Sequence, residues 1–346
     1  MKGYNKKYVL IDTTYVNSGG GKVLLDILVK TLWQSNVNIY YFFDSRNNIK
    51  TINNYIENYK IINPSETERK KSYKDIIGNI DSVLCFGNIP PPIQVDMKVS
   101  IYFHNDLLFN PLGLNLSIKE KVKLLIKKYY LLFNNNKNYN WICQTQNVAN
   151  KLQQFFNISQ EKIEIFPFYN LNQVAVMNKN SDTFIYPANF SKHKNHDRLC
   201  KAFIIASKKI NRKIKLYLTL DSKLFNKSVY NQDNIPKNLE FINIGIVSHN
   251  KLIDYIGRSK FLIFPSLNES FGLPLIEAAI NNCYIIASNK EYVMEVINPS
   301  IKFDPTSIDD ISESIVNAYR NIGLSKPKIL VENKIDTFVR YIKEYV

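Results

Sequence analysis

Short apolar runs alternate with stretches of helical spacing along the chain. In the first half the runs are YVLID (8–12), IYYFF (39–43), SVLCF (82–86), VSIYF (99–103), WICQT (141–145) and KIEIF (162–166), with helical spacing near 22–35, 117–133 and 146–156. A second series opens at TFIYP (183–187) and continues through IKLYLTL, LEFINI, FLIF and YIIAS, again separated by helical segments. Runs that are continuous rather than alternating mark strands covered on both faces, hence parallel sheets between helices. Two such series predict two doubly wound domains, joined through 168–182, where the periodicity lapses. Ligands of open parallel sheets bind beyond the carboxyl ends of the strands, and two facing domains would form a cleft there.

Composition narrows the picture. A chain of 346 residues exceeds the size at which one core usually keeps growing, and 45% hydrophobic content supplies two. The four cysteines, Cys85, Cys143, Cys200 and Cys283, stand far apart, without C-x-x-C pairs or neighbouring histidines, which argues against a zinc site or a disulfide framework. No apolar run reaches the roughly 18 residues needed to cross a bilayer, and the start lacks the features of a signal peptide, so a cytoplasmic location is expected. The formal charge of +15 calls for an anionic partner: nucleic acid, a membrane surface or a phosphorylated substrate. The same charge could follow from a general bias toward Lys, Asn, Ile and Tyr, so it selects none of them.

Candidate chemistry concentrates in NESFGLPLIEAA (268–279). Strand FLIF ends at Phe264, PSLNES forms the loop beyond it, and Pro274 suits the first position of a helix whose buried side is Leu275, Ile276, Ala278 and Ala279. Glu269 is then a loop residue and Glu277 falls in the first helical turn. Between them the backbone N–H groups of Ser270, Phe271, Gly272 and Leu273 lie at a helix N-terminus, where free donors and the helix dipole favour a phosphate. Gly272 allows close approach to the backbone. A phosphate flanked by hydroxyl-bearing groups, each held by one carboxylate, describes a nucleotide sugar.

FPSLNESFGLPLIEAA resembles the donor-binding signature of the retaining family 4 glycosyltransferases, whose E-x7-E motif matches Glu269 and Glu277. YPANFSKHKNHDRLCKAF (186–203) is similar to the family segment in which a lysine closes on the donor diphosphate, placing Lys194 in that role. The likeness is specific over 183–323 and weaker over the first half. It implies an α/β GT-B fold of two Rossmann-like domains: an acceptor-side domain over 1–170, a linker at 171–182 and a nucleotide-sugar domain over 183–325. A C-terminal helical segment, 326–346, would pack back on the first domain. It also implies no cofactor and no obligatory metal, the nucleoside diphosphate sugar being a substrate. One departure stands out: many members carry an arginine about five residues before that lysine, where this chain has Asn189. Phosphate neutralisation would then rest more heavily on Lys194 and the helix N–H groups.

Two features of the first half fit the same resemblance. Gly19, Gly20 and Gly21 follow the first strand and open a helix, a position where the family commonly has a glycine loop facing the donor, although the run lacks G-x-G-x-x-G spacing. His104 follows VSIYF at its carboxyl end, where the family places a histidine near the transferred sugar. His193 and His196 flank Lys194 and read as surface or supporting groups. In the implied chemistry Lys194 and the N–H groups of 271–273 stabilise the departing phosphate. Glu277 anchors the ribose, Glu269 and His104 orient the sugar, and the anomeric configuration is retained.

SIKEKVKLLIKKYYLLFNNN (117–136) bears on the acceptor. Ile118, Val122, Leu125, Tyr129 and Leu132 share one helical face expected to meet the core, while Leu124, Tyr130 and Leu131 lie among Lys119, Lys123 and Lys127 on the other, as in a helix resting on an anionic membrane. The resulting expectation is a peripheral enzyme at the inner face of the cell membrane. It would transfer a sugar to a growing surface polysaccharide, such as O-antigen or capsule, or to a lipid-linked oligosaccharide. Two rivals remain: a nucleic-acid-binding protein, for which no binding motif is present, and a non-catalytic scaffold on a transferase-like fold.

Overall fold

The structure, a computed structural model, describes residues 7–109, 118–171, 173–174, 179–229 and 234–346. The linker expected at 171–182 therefore falls partly, at 172 and 175–178, outside the described residues, as does Ser117 of the expected helix. The chain divides into two compact units. The first takes its residues from the chain up to 109, from 118–169 and from 332–346; the second lies between 170 and 331.

In the first unit β1 (Tyr8–Thr13), β2 (Ile39–Asp44), β3 (Asn58–Ile62), β4 (Ile80–Cys85), β5 (Lys98–Tyr102), β6 (Asn140–Cys143) and β7 (Ile163–Ile165) form a parallel sheet in the order β3-β2-β1-β4-β5-β6-β7. Its helices are α1 (Gly19–Trp33), α2 (Glu66–Ile76), α3 (Ile118–Asn134), α4 (Gln146–Phe156) and, from the C-terminal segment, α11 (Ile335–Tyr345). Phe338 of α11 stacks on Tyr102, Phe166 and Phe168, and the Tyr341 hydroxyl meets Ser100 Oγ at 3.1 Å.

In the second unit β8 (Asn180–Tyr186), β9 (Ile214–Leu218), β10 (Leu239–Asn243), β11 (Ser259–Phe264), β12 (Tyr284–Ser288) and β14 (Ile301–Phe303) pair in parallel as β10-β9-β8-β11-β12-β14, while β13 (Ile297–Asn298) and β15 (Lys328–Ile329) make a small antiparallel ribbon. The helices are α5 (His196–Lys209), α6 (Ser222–Val229), α7 (His249–Arg258), α8 (Leu273–Ile280), α9 (Glu291–Val296) and α10 (Ile308–Tyr319). In both sheets the order reverses beside the first strand, which places the ligand-binding edge at the carboxyl ends of β1 and β4 and of β8 and β11.

Two elements escape the apolar pattern. β3 is an edge strand whose residues alternate between half-buried and exposed, so it lacks a continuous apolar run. α2 buries Arg69, Ser72, Tyr73 and Ile76, at true helical spacing, but polar side chains occupy most of that face.

The faces of α3 are exchanged relative to expectation. Leu131 is buried, Leu124 packs on the first unit's core, and the Tyr130 hydroxyl donates to Glu66 at 2.5 Å. Ile118, Val122, Ile126, Tyr129 and Phe133 form an exposed stripe, with Phe133 90% exposed. The inward face thus combines two leucines with Tyr130, whose phenol finds a carboxylate on α2. The face with more apolar residues is left outside. No helix among the described residues is long and apolar enough to cross a membrane.

Candidate active site

In the second unit the loops after the adjacent strands β8 and β11 are stitched together. The Tyr186 hydroxyl donates to the Lys194 carbonyl at 2.8 Å and lies 2.9 Å from Ser266 Oγ, while Leu267 N–H donates to the His193 carbonyl at 2.8 Å. Asn195 adopts a left-handed conformation (φ 64°), which asparagine tolerates better than most residues, and its amide donates to the carbonyls of Pro265 and Pro305. These ties bring the ammonium of Lys194 to Glu269 Oε1, at 2.5 Å, with the two side chains 20% and 15% exposed. Residues 75 apart in sequence thus meet as a partly open ion pair.

Gly272 caps α8 with φ 81°, and a Cβ there would stand 3.0 Å from Leu275 Cδ1. Because the helix begins at Leu273, Pro274 is its second residue rather than its first; that N–H, too, has no intrahelical partner, so proline is tolerated. Glu277 is accordingly the fifth helical residue, beyond the first turn, and does not serve as a complement to the helix dipole. It is buried, and its Oε1 lies 2.6 Å from His249 Nε2 on the first residue of α7. Phe271 and Leu273 are buried, Ser270 is half-buried, and Asn189 is exposed in the loop after β8.

Of the two readings given for His196, surface or supporting group, the structure removes the first. The residue is 2% exposed, begins α5, and its ring lies against Tyr186 and Phe190 at 4.9 and 5.7 Å. Burial, reinforced by the charges of Lys194 and His193 and opposed by a backbone interaction at Ala188, brings its pKa down to about 4. It therefore packs as a neutral aromatic ring. His193 Nδ1 sits 2.6 Å from Ser191 Oγ.

In the first unit the three glycines form the opening turn of α1, with Gly19 at φ 64° and Gly19 and Gly20 exposed. A Cβ on Gly21 would lie 2.8 Å from His104 Nε2, so glycine is what lets the histidine reach this turn. Asn88, beyond β4, accepts the His104 N–H through Oδ1 at 2.6 Å, and its Nδ2 faces His104 Nε2 at 3.2 Å. Since that amide nitrogen donates, Nε2 is the acceptor and the ring proton belongs on Nδ1. Burial brings the pKa of His104 down to about 4, so near neutral pH it offers hydrogen bonds and no charge. Tyr15, in the same β1–α1 loop, is held at φ 78° by Asp44 Oδ2, which accepts its N–H, and by Glu66 Oε1, which accepts its hydroxyl at 2.6 Å. A bulky residue in that region stores strain, a recurrent property of ligand-binding loops.

No sequence pattern singles out His249 or Asn88 as part of a site, and Tyr186, Ser266 and Asn195 lie within the two quoted stretches without a role assigned to them there. Asn195 carries a further local signal, as an asparagine ahead of a helix, while His249 and Asn88 meet their partners only through elements distant in sequence.

Residues 169–336 match the family described as glycosyl transferases group 1. That segment is a group 1 glycosyltransferase domain. The capsular polysaccharide biosynthesis glycosyltransferase CapH of Staphylococcus aureus is 29% identical over 164 residues, 45% of this chain and 44% of CapH, so the match spans less than half of that relative. Among solved structures, the sucrose-phosphate synthase of Thermosynechococcus elongatus aligns with a TM-score of 0.70 at 13% identity, covering 98% of this chain and 94% of that one. Anabaena HepE, solved in complex with UDP-glucose, aligns with a TM-score of 0.68 at 10% identity, covering 97% of this chain and 98% of that one. Identities this low speak for the fold alone, which is GT-B, with a Rossmann-like sheet in each unit. The group 1 match covers Asn189, Lys194 and the 269–277 segment; the glycine turn and His104 precede it.

Proposed function

We propose that this chain is a retaining hexosyltransferase that moves a sugar from a nucleoside diphosphate donor to a growing surface polysaccharide, capsular or O-antigen in type, or to its lipid-linked precursor. The observation that carries the reading is the Lys194–Glu269 pair at the carboxyl edge of β8 and β11, beside the glycine-capped start of α8. A cation and a carboxylate 15–20% exposed can exchange each other for a phosphate and for sugar hydroxyls at small cost.

In this reading Lys194 and the N–H groups of Phe271, Gly272 and Leu273 receive the charge that develops on the leaving diphosphate. Glu277 accepts from the ribose and Glu269 from the transferred sugar. Neutral His104, carried by Asn88 and given room by Gly21, is the first unit's group for a sugar, with Gly19 and Gly20 offering backbone donors. Asn189, exposed where an arginine is common, supplies no charge, and neutralisation falls to Lys194. No metal is required, because these groups already oppose the negative charge. The capsular relative and the domain family support a polysaccharide acceptor.

The enzyme works at the inner face of the cell membrane. Its contact is the exposed α3 stripe of Ile118, Val122, Ile126, Tyr129 and Phe133, bordered by Lys119, Lys121 and Lys128, an arrangement suited to an anionic lipid surface.

Purified protein should be screened with UDP-, GDP-, ADP- and dTDP-sugars for slow donor hydrolysis and a raised melting temperature. One donor should be hydrolysed with the anomeric configuration kept, as read by proton NMR of the released sugar. Inverted product overturns retention, and failure of every nucleotide to bind overturns the transferase reading itself.

A further inference from the structure

The second acid of the 269–277 segment does not stand alone. His249 opens α7, in the connection between β10 and β11, and its Nε2 lies 2.6 Å from Oε1 of Glu277, whose side chain is 6% exposed; that of His249 is 26% exposed. α7 precedes β11 and α8 follows it, so the contact ties together the two helices on either side of that strand in sequence. The backbone of α8 is fixed at the same level, because Asn281 Nδ2 donates to the Glu277 carbonyl at 2.8 Å while its Oδ1 accepts the Val174 N–H at 2.9 Å.

A glutamate side chain has three rotatable bonds, and a carboxylate expected to grip a pair of vicinal hydroxyls loses affinity if it samples several rotamers. An imidazole N–H bound to one oxygen fixes the plane of the carboxylate and leaves the lone pairs of the other oxygen for hydroxyl donors. This is the way a supporting hydrogen bond orients a metal-binding or catalytic group. Opposite a carboxylate, which only accepts, Nε2 must carry its proton, whether the ring is neutral or charged.

We infer that His249 is a positioning residue for the donor site: it holds Glu277 in the rotamer that accepts the two ribose hydroxyls, and so sets how strongly the enzyme distinguishes a ribonucleotide from one lacking those hydroxyls. This role rests on the assignment of Glu277 to the ribose and goes beyond it by naming what aims the carboxylate. A residue that merely joined α7 to α8 would affect unfolding and leave ribose discrimination untouched.

The experiment compares binding of a nucleoside diphosphate with that of its 2′,3′-dideoxy form by calorimetry, using whichever of UDP, GDP or ADP binds the parent most tightly. The parent should prefer the ribonucleotide by a factor of about ten or more, from hydrogen bonds to a charged group. His249→Ala should reduce that preference to about threefold or less, with affinity for the dideoxy nucleotide unchanged. His249→Gln, which can place an amide N–H near the position of Nε2, should restore most of the preference. Thermal unfolding of each variant reports folding separately. If the parent ignores the ribose hydroxyls, the assignment of Glu277 fails and the role of His249 with it. If the parent discriminates and a folded His249→Ala does so equally well, Glu277 keeps its role and His249 is no positioning residue. Should His249→Ala fail to fold, the Gln variant decides: discrimination lost while its amide is in place also overturns the inference.

Discussion

Among the ion pairs that join residues far apart in sequence, Arg69–Asp12 in the first unit and Lys194–Glu269 in the second are built in opposite ways. In the first unit Arg69 Nε donates to Asp12 Oδ2 at 2.7 Å with the partners 2% and 1% exposed, and the Tyr73 hydroxyl donates to the same oxygen at 2.8 Å. Arg69 also reaches the Ile89 carbonyl, and Thr14 N–H donates to the other oxygen of Asp12. Burial is the largest single influence and opposes the charge on Arg69, yet Asp12 together with Tyr73, Cys85 and Glu66 outweighs it and holds the pKa well above the ordinary value. In the second unit Lys194 and Glu269 make a comparably short contact between loops that water still reaches. The sealed pair is held by several partners and fixes α2 against β1. The open pair has room to trade its partners. Depth of burial, more than distance, separates an ion pair that specifies a fold from one that can serve chemistry.

The largest effect that would break this contrast is expected at Arg69. Arg69→Leu strands the Asp12 carboxylate in the core and should cost about 3–5 kcal/mol, read as a lower denaturant midpoint; unfolding like that of the parent would mean the pair is not sealed. At the open pair, Lys194→Ala should lower turnover by roughly a hundredfold or more, with unfolding unchanged. Loss of stability comparable to that of Arg69→Leu would erase the distinction between the pairs. The two acids of the second unit sharpen it. Glu277→Ala should weaken nucleoside diphosphate binding by about 1.5–3 kcal/mol, whereas Glu269→Ala should leave that binding nearly intact and reduce transfer, and equal losses would refute the division.

Acid should expose a further difference between surface and buried groups. The pKa of buried His196 lies near 4, below that of an unfolded histidine, so the unfolded chain binds the proton more readily. Stability is then fully present above about pH 6.5 and falls as pH drops toward 4, by about 2 kcal/mol between pH 7 and 5 from this residue. His196→Phe, which suits the slot between Tyr186 and Phe190, should flatten that part of the pH profile; an unchanged profile would assign the acid sensitivity elsewhere. The smallest effects belong to α3. Ile126→Ser with Phe133→Ser should release the protein from anionic vesicles. Changing Lys119, Lys121 or Lys128 to Gln should each weaken attachment by about 1 kcal/mol at low salt, while donor hydrolysis stays intact. Vesicle binding unaffected by either set would remove α3 as the anchor.

The fold was legible because parallel strands buried on both faces read as uninterrupted apolar runs, and most of the observed strands coincide with such runs. β3 was not, since an edge strand needs only one covered face. α2 was hidden for a different reason: its inward positions include Arg69 and Tyr73, whose polar groups are met by Asp12 and Cys85, residues no local pattern connects to them. The 269–277 stretch could be read locally because its spacing, glycine and proline describe one loop and one helix start. Its partners could not. His249 is 28 residues away, and its contact with Glu277 exists only because α7 and α8 pack side by side. The inversion of α3 shows the limit of amphipathicity, since the inward face joins Leu124 and Leu131 to a tyrosine–carboxylate bond that a count of apolar side chains does not weigh.

The C-terminal helix gives the chain an order of assembly. Residues between 170 and 331 are contiguous and can collapse as soon as they leave the ribosome, but the first unit is missing a piece until residues 332–346 emerge. Until then Tyr102, Phe166 and Phe168 lack the ring of Phe338 that covers them, and Ser100 lacks the Tyr341 hydroxyl. The half synthesised first is therefore completed last, and a nascent chain stalled before Ile335 carries an uncovered aromatic surface that a chaperone could recognise.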